Sequence, residues 1–316
     1  MIKHISYMPN NNSILEFKKN KEVLSKLGIS EIETIIADYC PEEVFNSLPI
    51  GGVHLLYFPT WLDIWNENKV NILEDFHTTE PYGIKSKQEY INVFKEQFEL
   101  AKKHNAKYMV FHISHIRPRD IFTFSYDYSH CDVLEATIEL VNEVFKGDGP
   151  PLLFENLPWP GFDLKNEELI LNFLNKINYK SKGIMMDFSH FICLNTELNN
   201  YDEGALFIKN ELNKMPKVKS HIRGIHLNGS ISKEYLSNDF SPLLTKWENS
   251  NQLDRYHVEI GHIKNIDTHD IFRSKLISEV INDLNPEFLV YELSYTSLED
   301  LISKVKIQNS FLDFIK

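Results

Sequence analysis

Histidines and carboxylates stand at the ends of six successive apolar runs in this 316-residue chain. These residues are His54, His112, Glu155, Asp187 with His190, His226 and Glu292. A buried carboxylate costs free energy unless it is paired or bound to a metal, so apolar segments that end in Asp or Glu need an explanation. A shared metal site would account for all of them together. Mixed imidazole and carboxylate ligands suit Zn²⁺, Mn²⁺, Fe²⁺ or Co²⁺, and the sequence does not choose among these ions.

The apolar runs predict eight β-strands. Each run is short and rich in Ile, Val, Leu, Phe or Met, which is typical of strands buried on both faces. The runs cover residues 2–8, 32–37, 52–58, 107–113, 151–156, 182–188, 222–228 and 288–293. Between them lie amphipathic helical patterns, for example over residues 88–104 and over 132–145, where Asp132 and Glu135 suggest a capping box.

Eight strands that alternate with helices predict one (β/α)₈ TIM barrel, a single domain over residues 1–316. A doubly wound open sheet is the competing architecture, but no G-x-G-x-x-G or P-loop motif follows the first strand. Long loops are expected after strands 3 and 7, at about residues 59–87 and 229–266. The active site of such a barrel lies at the carboxyl ends of its strands, where the six sets of polar residues would meet.

Composition limits the partners and the compartment. Lys plus Arg number 33 against 45 Asp plus Glu, and the net charge of −12 argues against nucleic acid as the partner. Cys40, Cys131 and Cys193 are odd in number and widely spaced, which favours a reducing cytoplasm over a disulfide framework. No signal-like segment or 18-residue apolar run occurs, so neither secretion nor membrane insertion is expected.

The ordered set of motifs resembles the xylose-isomerase-like TIM barrels, a superfamily of sugar isomerases and epimerases that also contains endonuclease IV. The motifs that carry this resemblance span essentially the whole chain: GVHLLYF, VFHISH, LLFENLPWPG, GIMMDFSHFI, IRGIHLNGSIS, HIKNIDTHDIF and LVYEL. The nearest pattern is that of the sugar phosphate isomerase/epimerase proteins. The resemblance implies a barrel fold, a divalent metal and a small sugar-like substrate.

The isomerase pattern implies a metal site of four ligands, which are Glu155, Asp187, His226 and Glu292. In those relatives, the two glutamates exchange a proton next to the substrate's carbonyl while the metal polarises that carbonyl. Glu155 and Glu292 are therefore the expected catalytic acid/base pair. His190 would bind a substrate hydroxyl or complete a second metal site.

The endonuclease IV pattern requires further ligands and three metals. His54 and His112 match its histidines on the third and fourth strands, with His115 as an alternative to His112. Asp267 and His269 supply an Asp-x-His pair, although it comes unusually late after His226. An alternative alignment places Asp254 there, and Asp267 could instead cap a following helix.

Aromatic and basic residues after strands 3, 4 and 5 are candidates for substrate binding. Trp61 and Trp159 could close over a small polar ligand, and Arg117 could hold a phosphate or carboxylate. Packing under a long loop and surface ion pairs are the alternative roles of these side chains.

Three functions therefore compete. The first is a single-metal isomerase or epimerase of a sugar or sugar phosphate. The second is a multinuclear metalloenzyme, either a phosphoester hydrolase or a non-haem iron oxidative enzyme, and it is favoured by His54 and His112. The third is a barrel that binds a ligand without catalysis. The substrate, the metal and the oligomeric state stay open.

Overall fold

The computed structural model describes residues 1–67, 84 and 86–312, and eight parallel strands close into a barrel within them. Each strand pairs with its sequence neighbours, and β8 pairs with β1. The strands are β1 Ile2–Ser6, β2 Ile29–Thr34, β3 Ile50–His54, β4 Tyr108–His112, β5 Leu152–Glu155, β6 Lys182–Asp187, β7 Ile222–Leu227 and β8 Phe288–Tyr291. The predicted (β/α)₈ barrel is confirmed.

Helices follow the strands around the outside of the barrel. Those within the described residues are α1 Ser13–Lys26, α2 Glu42–Ser47, α3 Trp61–Trp65, α4 Lys87–Lys103, α5 Asp120–Thr123, α6 His130–Val144, α7 Glu167–Lys176, α8 Phe188–Cys193, α9 Tyr201–Asn213, α10 Pro216–Lys219, α11 Lys233–Leu236, α12 Ser241–Glu248, α13 Gln252–Ile266, α14 Leu276–Leu284 and α15 Leu298–Asn309. In the described part of the chain, no helix is long and apolar enough to cross a membrane.

Several local predictions differ from the structure by a few residues. Strand β3 covers Ile50–His54 and not residues 52–58. Strand β2 begins at Ile29, not at residue 32, because its early residues Ser30 and Glu31 interrupt the apolar pattern. Helix α6 begins after Ser129, whose side chain forms the capping box with Asp132. Asp132 is thus the third helical residue and not the cap.

The long loops predicted after strands 3 and 7 compare differently with the structure. Helix α3 lies in the connection after β3, and residues 68–83 and 85 of that connection are outside the described residues. Residues 229–266, predicted to be a loop, contain α11, α12 and α13. These helices have an apolar side of their own, because Trp247, Val258 and Ile266 pack with Ile116 and Trp159 in one buried cluster beside the barrel mouth.

The barrel interior is filled with side chains. Its layer towards the amino ends of the strands consists of Tyr108, Val110, Leu153, Met185, Phe288 and Val290. This layer is packed, as in other β/α barrels, so polar side chains can be brought together above it without a pore beneath them.

Gly161 fixes the loops after β4 and β5 to each other. It has a φ of 144°, it forms an isolated bridge with Ser114, and a Cβ atom there would lie 2.4 Å from the Ile113 carbonyl oxygen. Only glycine combines that backbone conformation with that approach.

We therefore expect Gly161→Ala to destabilise the protein by about 2–3 kcal/mol, through backbone strain and a steric clash. Gly261 lies inside α13, where an added methyl group would have no atom within 4 Å, and it is the matched control. Gly261→Ala should raise stability by about 0.5–1 kcal/mol, because alanine favours helix. Urea unfolding checks both, and equal midpoints for the two variants would contradict this account.

Candidate metal centre

The structure brings the predicted strand-end residues together at the carboxyl end of the barrel. Their potential ligand atoms form three groups, within each of which all atoms lie within 4.8 Å of one another. Group 1 is His54, His112 and Glu155; group 2 is Glu155, Asp187, His226 and Glu292; group 3 is Asp187, His190 and His269. Glu155 and Asp187 each belong to two groups, so the three groups form one continuous cluster.

The protonation of His54 follows from its outer contact. Its Nδ1 lies 2.9 Å from the Leu55 carbonyl oxygen, which can only accept a hydrogen bond. In the neutral imidazole, Nδ1 therefore carries the proton and Nε2 presents its lone pair. That lone pair faces Glu155 Oε2 at 3.2 Å and His112 Nε2 at 3.2 Å. Three potential metal ligands thus converge at this point. Burial opposes protonation of His54, but Glu155 raises its pKa above the usual value, so a proton and a cation compete for the space between them.

His226 repeats this arrangement at the centre of the cluster. Its Nε2 donates to the buried carboxylate of Glu33, at 3.1–3.2 Å. Its Nδ1 then faces Glu155 Oε1 at 3.1 Å, Glu292 Oε2 at 2.8 Å and Asp187 Oδ2 at 3.7 Å. A carboxylate that holds the outer nitrogen of an imidazole is the usual support of a metal-binding histidine.

His190 is the third such imidazole. Its Nδ1 lies 2.9 Å from the Asn156 carbonyl oxygen, and its Nε2 lies 3.1 Å from Asp267 Oδ2. Asp267 is itself anchored, since its Oδ1 accepts from the hydroxyls of Ser189 and Ser230. The other oxygen of Asp267 also contacts His269 Nε2 at 2.7 Å, so this carboxylate stands beside group 3 as a further potential ligand.

Asp187 is held in place by its neighbours in the chain and on the adjacent strands. Its Oδ1 accepts from the His190 backbone N–H at 2.7 Å and caps α8, while its Oδ2 accepts from the Asn228 side chain at 2.8 Å. The side chain of Asn156 pairs with the backbone N–H and C=O of Asp187. The cap also turns His190 back over the barrel mouth, as the Asp-x-x-His spacing predicts.

The Asp267 and His269 pair lies in the cluster, and Asp254 does not. Asp254 is exposed in the first turn of α13, where Asn251 caps its backbone N–H. Asp267 follows the last residue of α13 and caps no following helix, so that alternative is also wrong. His269 has a left-handed φ of 46°, and the bridge between Gly229 and Asp270 holds the loop in this strained conformation.

The cluster fits divalent cations. In His54, His190 and His226, the outer nitrogen is committed to an acceptor, and the inner nitrogen faces carboxylate oxygens. Lone pairs that face each other in a buried space repel unless a proton or a cation lies between them. Imidazole and carboxylate are suitable donors for Zn²⁺, Mn²⁺, Fe²⁺ or Co²⁺.

The pKa values show that, in the chain alone, protons reduce the repulsion between these facing lone pairs. Burial would lower the pKa of His226 and of His190, but the surrounding carboxylates raise both pKa values well above the usual value. The pKa of His269 rises to about 9 for the same reason, mainly through Asp267. Burial raises the pKa of Asp187 to about 7, although the charge of His190 opposes it. Burial also opposes ionisation of Glu155, but His112 and His226 hold its pKa well below the usual range.

A cavity of about 400 Å³ opens above the cluster. His112, His190, Asp267, His269 and Glu292 reach it from the barrel, and α13 forms part of the opposite wall. The predicted substrate-binding residues Trp159 and Arg117 line this cavity. The Arg117 guanidinium is held by Asp63 through two contacts of 2.9 and 3.0 Å, and it also contacts Asp127. Its main partners are therefore protein carboxylates.

Two candidates lie away from the cluster. Trp61 is not among the described residues that line the cavity, because its indole N–H donates to the Ser114 carbonyl at 2.8 Å and its ring stacks on Tyr90. The contacts that Trp61 makes are packing contacts, and its substrate contact stays a prediction. His115 is buried 3.8 Å from Asp63, and burial lowers its pKa to about 4. Of the two histidines, it is His112 that lies in the cluster.

Sequence reasoning missed the residues that support the cluster. The most important is Glu33, a fully buried carboxylate near the carboxyl end of β2. The rule that flagged the other strands, an acidic residue within an apolar run, applies equally to Glu33. Asn156 and Asn228 also close apolar runs, and nothing in their residue type distinguishes them from ordinary loop residues.

Comparison with solved structures agrees with the sequence resemblance at the level of the fold, which is that of the xylose-isomerase-like TIM barrels. Endonuclease IV from Thermus thermophilus superposes with a TM-score of 0.55 at 13% identity, over 98% of each chain. A D-tagatose 3-epimerase-like protein has a TM-score of 0.55 at 13% identity, over 98% of this chain and 97% of the other. An L-ribulose 3-epimerase has a TM-score of 0.53 at 11% identity, over 98% and 92%. No family model and no curated protein sequence matches the chain.

Glu33→Gln should weaken metal binding about tenfold or more, because a neutral amide polarises the His226 imidazole less than a carboxylate does. Glu31→Gln, on the same strand but bonded to His4 and Lys107 instead, is the matched control. Competition with a chromophoric chelator measures both affinities. Equal affinities for wild type and Glu33→Gln would contradict this role.

Metal binding should release protons. His190, His226 and His269 have raised pKa values, so they carry protons at pH 7 that a cation must displace. Because the pKa values of Asp187 and His54 are raised as well, we expect at least three protons per chain on loading with Zn²⁺ at pH 7, and fewer as the pH rises through the His269 value of about 9. Metal affinity should fall as the pH falls below 7.

Calorimetry in buffers of different ionisation enthalpy counts these protons. His269→Gln should release about one proton fewer than wild type. His130→Gln, whose imidazole contacts the Gly161 backbone outside the cluster, should match wild type. Release of less than one proton at pH 7 would contradict the assignment.

Proposed function

We propose that this protein is a multinuclear metal-dependent hydrolase that cleaves a phosphoester of a small molecule. The observation that carries the proposal is the sharing of Glu155 and Asp187 between adjacent ligand groups. Carboxylates that bridge neighbouring ions are typical of sites that hold more than one metal, and such sites clamp the attacking and leaving oxygens of phosphoryl transfer. A single-metal site would leave His54, His112 and the Asp267 and His269 pair without a function.

Charge favours an anionic substrate. Glu155, Asp187, Asp267 and Glu292 bring four carboxylates to the cluster, and Glu33 adds a fifth behind His226, whereas three divalent ions would bring six positive charges. The loaded cluster would thus be net positive within a chain of net charge −12. A net positive metal site attracts anionic ligands, whereas the acidic remainder of the chain disfavours an extended polyanion.

The size of the cavity favours a small substrate. The cavity of about 400 Å³ has α13 along one wall, through Glu259, Ile260, Ile263 and Lys264. This volume lies in the usual range for small-molecule sites. The endonuclease with the same fold acts on nucleic acid, as its name states, but the wall that α13 provides favours a compact ligand here.

Each part of the chain has a distinct task in this reaction. Divalent ions, when bound, would neutralise charge on the phosphoryl oxygens and acidify a water molecule. Group 1 and group 3 residues would hold ions at the two ends of the cluster, and His226, with Glu33 behind it, would hold one in the middle. Trp159 and α13 line the cavity and would limit the access of bulk water to a bound substrate.

A sugar isomerase is the second candidate. The supporting observation is that Glu155 and Glu292 approach the same nitrogen of His226, at 3.1 and 2.8 Å, as an acid/base pair around one metal would. It is less well supported because both oxygens of Glu155 face ligand atoms, Oε2 in group 1 and Oε1 in group 2. A carboxylate used in this way has no oxygen left to move a substrate proton.

Metal content and activity test the proposal together. Protein loaded with Zn²⁺ or Mn²⁺ and then dialysed should retain about three ions per chain and cleave 4-methylumbelliferyl phosphate or its diester. His54→Ala with His112→Ala should lose about one ion and at least about 100-fold in kcat. His221→Gln, at the amino end of β7, is the control and should change neither. Plasma mass spectrometry and fluorescence measure the two quantities.

Three results would contradict the hydrolase. One ion per chain, with exchange of deuterium from D₂O into a ketose, would establish the isomerase. Bound iron that consumes O₂ without phosphoester cleavage would establish oxidative chemistry, to which the two imidazoles and one carboxylate of group 1 are suited. Ligand binding without metal would establish a binding protein.

A further inference from the structure

We propose that the substrate joins an anionic, metal-binding head to an apolar or aromatic body, and is not a sugar phosphate. The inference rests on the proposed function, because the head is assigned to the metal cluster. It deepens that function by naming the group on the other side of the scissile bond.

The cavity has two chemically different sides. The side towards the barrel carries the histidines and carboxylates of the cluster. The opposite side is formed by Ile116, Ile121, Leu157, Trp159, Ile260 and Ile263. A ligand that spans the cavity from the cluster must place its far end against these apolar side chains. Burial of apolar ligand surface there stabilises the complex, whereas burial of hydroxyl groups without partners destabilises it.

Most polar side chains that line the cavity outside the cluster are engaged with other residues of the protein; the Tyr57 hydroxyl, for example, bonds to the Ser114 hydroxyl at 2.7 Å. Arg117 is held by Asp63, and the Glu259 carboxylate accepts from the Trp247 indole N–H at 2.5 Å. The Ser294 hydroxyl donates to the Thr268 carbonyl at 3.0 Å. Lys264 is exposed at the rim. Recognition of a sugar requires several polar groups directed at its hydroxyls, and the wall offers mostly carbon atoms instead.

The apolar wall is packed into the protein. Ile116, Ile121, Leu157 and Trp159 are each at least nine-tenths buried, and they share a cluster with Trp247 of α12 and Val258 of α13. Such a surface does not need to form on binding, so little free energy is lost to ordering it. A volume of about 400 Å³ accommodates a phosphoryl group together with an aromatic ring system.

Binding of non-hydrolysable phosphonates to the Zn²⁺-loaded full chain tests the inference without relying on turnover. The probes are methylphosphonate, 1-naphthylmethylphosphonate and the phosphonate analogue of a hexose 6-phosphate, titrated by calorimetry. We expect the naphthyl compound to bind about 30-fold more tightly than methylphosphonate, because its rings lose water on the wall. The hexose analogue should bind within about threefold of methylphosphonate.

Variants in α13 test whether the apolar side of the cavity causes the preference for the naphthyl compound. Ile263→Asn and Ile260→Asn should each reduce the naphthyl preference to about fivefold while the metal content stays unchanged. Leu253→Asn, on the same helix but exposed and outside the cavity, should retain the full preference. Two separate wall variants are used so that the test still stands if one of them does not fold.

The outcomes separate this inference from the proposed function. Equal binding of all three phosphonates, or tightest binding of the hexose analogue, overturns the apolar body and leaves the metal-dependent hydrolase standing. A naphthyl preference that survives both wall variants also overturns it. No bound metal, or no binding of any phosphonate to metal-loaded protein, overturns the proposed function itself. A naphthyl preference that both wall variants reduce supports the inference.

Discussion

At the mouth of this barrel, buried carboxylate oxygens and imidazole lone pairs face each other and repel, and the rest of the site depends on what relieves this repulsion. His54, His190 and His226 each commit the outer nitrogen to an acceptor, a backbone carbonyl or Glu33, and turn the inner nitrogen towards carboxylate oxygens. Such a set of acceptors is stable in a buried space only with protons or cations between them. The raised pKa values of His190 and His226 are the response of the chain alone, and divalent ions would relieve the same conflict more completely.

The register of the strands brings the ligand residues together in one continuous cluster. His112 on β4 lies opposite Glu155 on β5, and Asp187 on β6 lies opposite His226 on β7. The register places the side chains of each of these two pairs at the same height, so neighbouring strands bring imidazole and carboxylate groups together without a special loop. Glu292 directly follows β8 and His190 lies in α8. Asp267 and His269 come from the loop after α13, which the Gly229 and Asp270 bridge fixes to the end of β7.

The parts of the site that lie on strands could be predicted from sequence, and the parts that depend on tertiary packing could not. Apolar runs ending in His, Asp or Glu identify His54, Glu155 and Glu292 because strand direction alone places them at the mouth. Whether Trp61 faces the cavity or the space beneath α4 depends on its partners Tyr90 and Ser114, which the sequence does not reveal. The helices between residues 229 and 266 were mistaken for a loop because their apolar side packs on Trp159 and Ile116, far away in sequence.

The most direct test of the account is a crystal structure of the Zn²⁺-loaded protein with anomalous diffraction recorded at the zinc edge. We expect three anomalous peaks, one in each ligand group, with Glu155 bridging two of them and the Glu33 carboxylate still bonded to His226 Nε2. Each peak should lie about 2.0–2.2 Å from the imidazole nitrogens and carboxylate oxygens of its group. A single peak, or a barrel mouth in which the imidazoles remain bonded to the carboxylates through protons alone, would contradict it.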